Sequence, residues 1–120
     1  MSKHTLSDVE NTKLGYLTTR GRRTGKPHTV EIWFARSDNL VYLSHEGAYP
    51  DWMKNIQKDG TVNLKIDGVK FDGKARIVSE GDSFERGKHA LYLKYYGEAD
   101  SAVVDDWFSE STIVEMDVDK

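Results

Sequence analysis

Basic side chains crowd into one short stretch of this chain, RGRRTGKP, where Arg20, Arg22, Arg23 and Lys26 stand with no acidic residue among them. Such a cluster makes a local anion site. Arginine grips a phosphate through two parallel hydrogen bonds, Thr24 adds a hydroxyl donor, and Gly21 and Gly25 leave room for close backbone approach. Pro27 bars a helix from running through the turn. A Walker phosphate loop is excluded, since that motif needs a longer glycine spacing, a Ser or Thr after its lysine and a following helix. Beyond the turn, Thr29, Glu31 and Trp33 alternate with Val30, Ile32 and Phe34. An extended strand therefore sends Glu31 and Trp33 to one face and the apolar residues into a core. Covering Trp33 then takes something outside the core: a cofactor, a helix or a second subunit. A phosphate grip feeding a strand that displays an indole suits an aromatic, phosphorylated ligand.

Other chemistries find little support. His4, His28, His45 and His89 show no metal-ligand spacing, and no Ser-His-Asp arrangement can be argued from the order of residues. There are no cysteines, which excludes disulfides, thiolate metal sites and cysteine nucleophiles and is consistent with a reducing, cytoplasmic setting. Glu31 and Glu46 are expected to face solvent or to pair with Arg22 or Arg23 rather than to act as acids or bases. The chain has 120 residues and a net charge of -3, so one domain (1–120, with 1–13 as an N-terminal arm) is expected. A slightly acidic balance argues against a nucleic-acid partner, because a phosphate backbone calls for a broad basic surface rather than one basic loop. No apolar run is long enough to cross a membrane and no signal-peptide pattern marks Met1 to Glu10.

The elements that must position the basic turn follow from periodicity. Met1 to Lys13 is polar and reads as a frayed arm or a single helical turn. Strands are expected over Leu14 to Thr19, His28 to Arg36 and Leu40 to Ser44, with a tight turn at Ser37 to Asn39. A short helix starts at Pro50 and Asp51 and stops at Gly60. Thr61 to Asp67 and Val69 to Ser79 form a hairpin through Asp67 and Gly68, with Gly73 where a barrel wall would bend. Asp82 to Glu85 resembles a capping box opening a helix that Gly97 ends. A further helix spans Ala102 to Phe108, with Trp107 in the core, and Thr112 to Val118 closes the chain as a strand. Five or six antiparallel strands with short helices at the breaks indicate a mainly β protein, a small barrel whose openings the helices cover.

The run LTTRGRRTGKPHTVEIWF, then YLSHEG, then DWMKNIQKDGTVNLKIDG, resembles the deazaflavin-dependent oxidoreductases, also called nitroreductase-family deazaflavin-dependent reductases. These belong to the split β-barrel flavin-binding superfamily that includes pyridoxamine phosphate oxidase. The similarity covers Leu14 to Gly68 and continues more weakly through FDGKARIV and the tyrosine-rich helix. The resemblance implies an antiparallel split β-barrel, of the kind seen in FMN-binding proteins, with coenzyme F-420 (a deazaflavin) or FMN held outside the wall. It assigns the cofactor phosphate to Arg22, Arg23, Thr24 and Gly25, the family's aromatic strand position to Trp33, its cofactor-binding segment after the third strand to Ser44 and His45, and the helix that meets the ring system to Trp52 and Asn55. Asn55 is equally suited to donating to a flavin carbonyl and to capping a loop. Tyr92, Tyr95 and Tyr96 become candidates for the substrate pocket or for proton donation. Some members have a basic residue where this chain has Glu46 and a proline where it has Glu31. Both differences add negative charge near an anionic ligand and keep FMN in play beside coenzyme F-420.

The expected activity is hydride transfer between the reduced cofactor and a small electron-poor acceptor such as a quinone or a nitro compound. The partners implied are that acceptor and a second copy of the chain in a homodimer, with no nucleic acid and no membrane. A carrier or sensor that binds flavin without turnover is the alternative. A small barrel binding nucleic acid through the basic loop is the third and least favoured reading.

Overall fold

A computed structural model describes residues 5–119; the first residues of the expected arm, His4 among them, lie outside that range. The order of elements is α1 (Leu6–Val9), β1 (Gly15–Arg20), β2 (Pro27–Ile32), β3 (Phe34–Ser37), β4 (Leu40–Glu46), α2 (Asp51–Lys58), β5 (Thr61–Ile66), β6 (Val69–Val78), α3 (Gly81–Tyr96), α4 (Ser101–Trp107) and β7 (Ser111–Val118). The strands form one 7-stranded sheet in the order β2-β1-β5-β6-β7-β4-β3, and each pairing is antiparallel. Its two edges, β2 and β3, are consecutive in the chain, with Trp33 alone between them. The sheet must therefore curl until its ends lie one residue apart. This is a split β-barrel, closed by a bend in the backbone.

The expected strand from His28 to Arg36 is thus two strands, which raises the total to seven. Ile32 pairs with Gly15 on β1, whereas Phe34 pairs with Leu43 on β4, so the chain changes partners at Trp33. At the predicted hairpin, Asp67 (φ 51°) and Gly68 (φ 80°) both take left-handed conformations, as a tight two-residue turn matched to strand twist requires. Gly73 is needed for close approach: a Cβ there would lie 2.0 Å from the Asp117 carbonyl oxygen on β7.

Two apolar clusters hold the fold. Leu17, Phe34, Val41, Leu43, Met53, Leu64, Ile66, Val114 and Met116 fill the barrel, each fully buried. Burying an aliphatic or aromatic side chain of this kind contributes about 1.5–3 kcal/mol. Leu6 and Val9 join the same cluster, so the described part of the arm is a helical turn docked on the core rather than a frayed end. The second cluster, with Tyr42, Leu91, Val104, Phe108 and Ile113, lies where α3 and α4 cover the outer face of β3, β4 and β7.

Two expectations are corrected here. Asp82 and Glu85 do not cap α3; the helix begins at Gly81, and Glu80 at the N-cap makes no side-chain capping bond. Trp107 is not a core residue but stands 54% exposed, because α4 buries Val104 instead. On β7, Glu115 alternates with the core residues Val114 and Met116 and yet is itself buried, because β7 is a central strand covered on both faces. Its carboxylate accepts from Tyr42 Oη on β4 at 2.7 Å and from Arg76 on β6, directly across the sheet on either side. Burial works against ionisation of Glu115, but hydrogen bonds from Tyr42, Ser83 and Arg76 outweigh it and hold its carboxyl below the usual range. Burial and then that carboxylate push Tyr42 up to about 12.

Candidate functional site

The basic turn is built onto the first turns of α2. Gly21 N–H donates to the Lys26 carbonyl and Gly25 N–H to the Gly21 carbonyl, both at 2.8 Å, with Gly25 at φ 75° closing the loop. Asn55, 2% exposed on α2, brackets it. Its Oδ1 accepts from both the backbone N–H of Arg22 (3.1 Å) and the Arg22 guanidinium (3.0 Å), while its Nδ2 donates to Thr19 Oγ1 on β1 (3.0 Å). Arg22 also reaches Asp51 at 3.2 Å, and Lys58 donates to the Arg22 carbonyl. Arg22 is therefore largely committed to the protein. Arg23, Thr24 and Lys26 are exposed, and neither Arg23 nor Lys26 has an ion pair among the described residues. The free cationic donors of the turn are these two side chains.

One turn before Asn55 on the same helix, Trp52 enters a cleft of about 320 Å³ lined also by Leu14, Glu31, Ile32, Trp33, Ser44 and His45. The bend between the barrel edges, the end of β4 and the start of α2 thus converge, bringing Trp33, Ser44, His45 and Trp52 together. His45 meets the Trp52 ring edge-on, with centroids 6.4 Å apart. Leu14 and Ile32 belong to the cleft although nothing in their spacing sets them apart from ordinary strand residues. Glu31 lines it as well. Its carboxylate lies 3.4 Å from Tyr16 Oη and makes no ion pair with Arg22 or Arg23 among the described residues.

An aromatic ladder leads away from the cleft over α3 and α4. Trp33 stacks on Tyr95, centroids 4.3 Å apart and planes 12° from parallel. Tyr96 lies 6.2 Å from Trp33 and 4.7 Å from Trp107, and Tyr92 lies 5.1 Å from Tyr96. Trp33 and Tyr96 are each 47% exposed, so the ladder presents ring faces to solvent. Tyr95 is different. Its oxygen accepts from Phe34 N–H at 3.0 Å, and its proton is shared between the Lys13 carbonyl (2.7 Å) and the Phe34 carbonyl (2.9 Å). Burial raises its pKa, only partly offset by the Phe34 bond. Tyr95 is held as a clamp, and Tyr92 and Tyr96 keep the less committed hydroxyls. Among the described residues no group of His, Asp or Glu is arranged to hold a metal ion, and no helix is long and apolar enough to cross a membrane.

The sequence model of the F-420H(2)-dependent quinone reductases matches residues 4–103, which takes in the basic turn, the cleft and the tyrosines of α3. The chain belongs to the F-420H(2)-dependent quinone reductase family. Trp107 and β7 fall beyond the matched segment of that family. Comparison with curated proteins finds no match at significant similarity. Solved structures agree on the fold. A conserved hypothetical protein from Mycobacterium tuberculosis has a TM-score of 0.79 at 24% identity, over 100% of this chain and 82% of its own. An F-420 reductase has 0.64 at 18% identity, covering 100% and 97%. A candidate pyridoxamine 5'-phosphate oxidase from Listeria innocua has 0.65 at 15% identity, covering 96% and 90%. At these identities each likeness concerns the split barrel alone.

Proposed function

We propose that this member of the quinone reductase family transfers hydride between reduced coenzyme F-420, or FMN in its place, and a small electron-poor acceptor such as a quinone or nitro compound. The observation that carries the reading is that α2 joins two features. It pins the cationic turn through Asn55 and Asp51, and from its preceding turn it presents Trp52 to the cleft beside Trp33.

The residues present fit such a cofactor by the chemistry of their donors. The Arg23 and Lys26 side chains are free to receive a phosphate, and Thr24 Oγ1, which accepts from the Lys26 backbone N–H at 3.3 Å, keeps its proton to donate, with Arg22 holding the turn in shape. Trp33 and Trp52 supply apolar ring surface, and Ser44 and His45 supply polar contacts at the rim. A flavin or deazaflavin, when bound, supplies the hydride chemistry itself, so the protein needs only to bind, orient and exclude water. The half-exposed rings of Trp33 and Tyr96 offer a flat surface against which an aromatic acceptor can stack. Tyr92 and Tyr96 are the hydroxyls placed to give an acceptor a hydrogen bond. Exposure of that ladder also supports a homodimer in which a second copy covers part of it.

The test is binding and turnover by the intact chain. Titration with coenzyme F-420 and with FMN, followed by ligand fluorescence, is expected to give saturable binding to one of them. Steady-state reduction of a soluble quinone by the reduced cofactor is then expected. Binding without turnover would replace the enzyme with a carrier, and absence of binding to both would remove the proposal.

A further inference from the structure

A second cavity, of about 630 Å³, lies between β3, α3 and the segment that follows α1. Lys13, Arg36, Arg86 and Lys94 line it, with His89, against the single carboxylate of Glu10. That local excess of positive charge stands in a chain whose net charge is -3. Glu10 is already committed to Arg36 at 2.9 Å. Lys94 has no carboxylate partner among the described residues. Its ammonium donates to the carbonyls of Thr12 (2.7 Å) and Phe34 (2.9 Å) and sits 3.4 Å from the Phe34 ring centroid. Lys13 likewise has no ion pair among the described residues, and the Tyr95 ring centroid lies 5.6 Å from its ammonium. The remaining wall is apolar, from Ala35, Ala90 and Leu93, and Leu93 is 56% exposed with no cover of its own.

We propose that this cavity is a second binding site, distinct from the cleft at Trp33, for a small anion that joins an apolar body to a carboxylate or phosphate group. The anionic end would lie against Lys94 and Lys13, and the apolar body against Leu93 and Ala90. Lys94, part-buried, and the exposed Lys13 near it, neither with an ion pair among the described residues, are what such an end satisfies. The cost of leaving them unpaired is visible in Lys94, which burial and then the nearby Lys13 charge hold down at about 8. This site does not depend on the cofactor assignment. It is also placed to affect the cleft, because Lys94 and Tyr95 grip the same Phe34 carbonyl from adjacent positions on α3.

Phthalate and phenyl phosphate serve as probes, titrated into the full chain at low ionic strength by calorimetry and by backbone amide NMR. Binding is expected, with shifts centred on Arg36, Ala90 and Lys94. Lys94→Gln is expected to weaken it about tenfold, the loss of one charge-assisted contact. Lys13→Gln, at an exposed side chain that makes no hydrogen bond among the described residues, should weaken it too and keeps the test valid if Lys94→Gln fails to fold. Binding of phthalate alone names a carboxylate as the ligand, and of phenyl phosphate alone a phosphate ester. Absence of binding to both, full binding in the Lys13 variant, or shifts centred on Arg23 and Thr24 instead would overturn the proposal.

Discussion

The indole of Trp33 and the phenol of Tyr95 lie face to face, 4.3 Å between centroids, so that the bend joining the barrel edges is fastened to α3. The Tyr95 hydroxyl completes the fastening through Phe34 N–H. Tyr95→Phe keeps the stack and removes the acceptor, leaving a part-buried N–H unpaired at a cost of about 1–3 kcal/mol. Urea denaturation should show that loss. Tyr95→Phe should also leave the chemical step intact, because its hydroxyl is already spent on backbone. A drop in turnover with no loss of stability would make Tyr95 a proton donor instead.

Arg22 and Arg23 are neighbours with different work, and single substitutions should separate them. Arg23→Ala is expected to leave the denaturation midpoint unchanged and to weaken binding of the phosphorylated cofactor by roughly tenfold or more, since charge-assisted hydrogen bonds are worth about 1.5–3 kcal/mol. Arg22→Ala should lower both stability and affinity. Equal effects of the two on stability would contradict this division.

Asn55 is where the turn and the helix meet, and its side chain is buried with all its partners inside the protein. Asn55→Ala strands the Arg22 N–H and the Thr19 hydroxyl and should cost about 2 kcal/mol or more. Cofactor affinity is expected to fall with it, through disorder of the turn. Hydrogen exchange at the Arg22 and Gly25 amides, faster in the variant, is the direct readout; unchanged protection there would refute the bracket.

Tyr42 gives a pH signature. Its phenol titrates near 10.0 when unfolded and at about 12 in the folded protein. A raised folded value means that its contribution is fully present below pH 10.0 and is lost as pH rises toward about 12, because the unfolded chain gives up its proton first. Denaturation midpoints should fall across that window, and Tyr42→Phe should flatten the fall. Parallel curves for the two proteins would show that Tyr42 is not the group responsible.

Gly87 lies on the face of α3 that rests on the sheet. A Cβ there would stand 2.7 Å from Tyr42 Cδ1 and 2.8 Å from Ile113 Cγ2, both on fully buried residues. Alanine is the better helix former by about 1 kcal/mol. Overpacking nevertheless costs about 1–3 kcal/mol, and Tyr42 is pinned by Glu115 and has no room to yield, so Gly87→Ala should lower the melting temperature. An increase would mean that the helix can lift.

Local signals in the sequence determined much of this protein. Alternation placed β5 and β6, the Asp67-Gly68 pair placed their hairpin, Gly97 ended α3, and the order of the basic turn, the aromatic strand and α2 identified the family. What tertiary structure alone decided is who faces whom. Trp33 lies where the chain leaves one end of the sheet for the other, and a strand that changes partners reads in sequence like one that does not. The burial of Glu115 follows from β7 being central and covered by α3, a property of sheet order rather than of alternation. Trp107 shares helical spacing with Val104, and only docking of α4 chose Val104 for the core and left the indole on the surface. Lys13, Arg36 and the α3 residues Arg86 and Lys94 come from three separate parts of the chain and meet because β3, α3 and the segment after α1 pack around one cavity. Periodicity reports the neighbours that a residue meets within its own element; contacts between elements depend on the path of the whole chain.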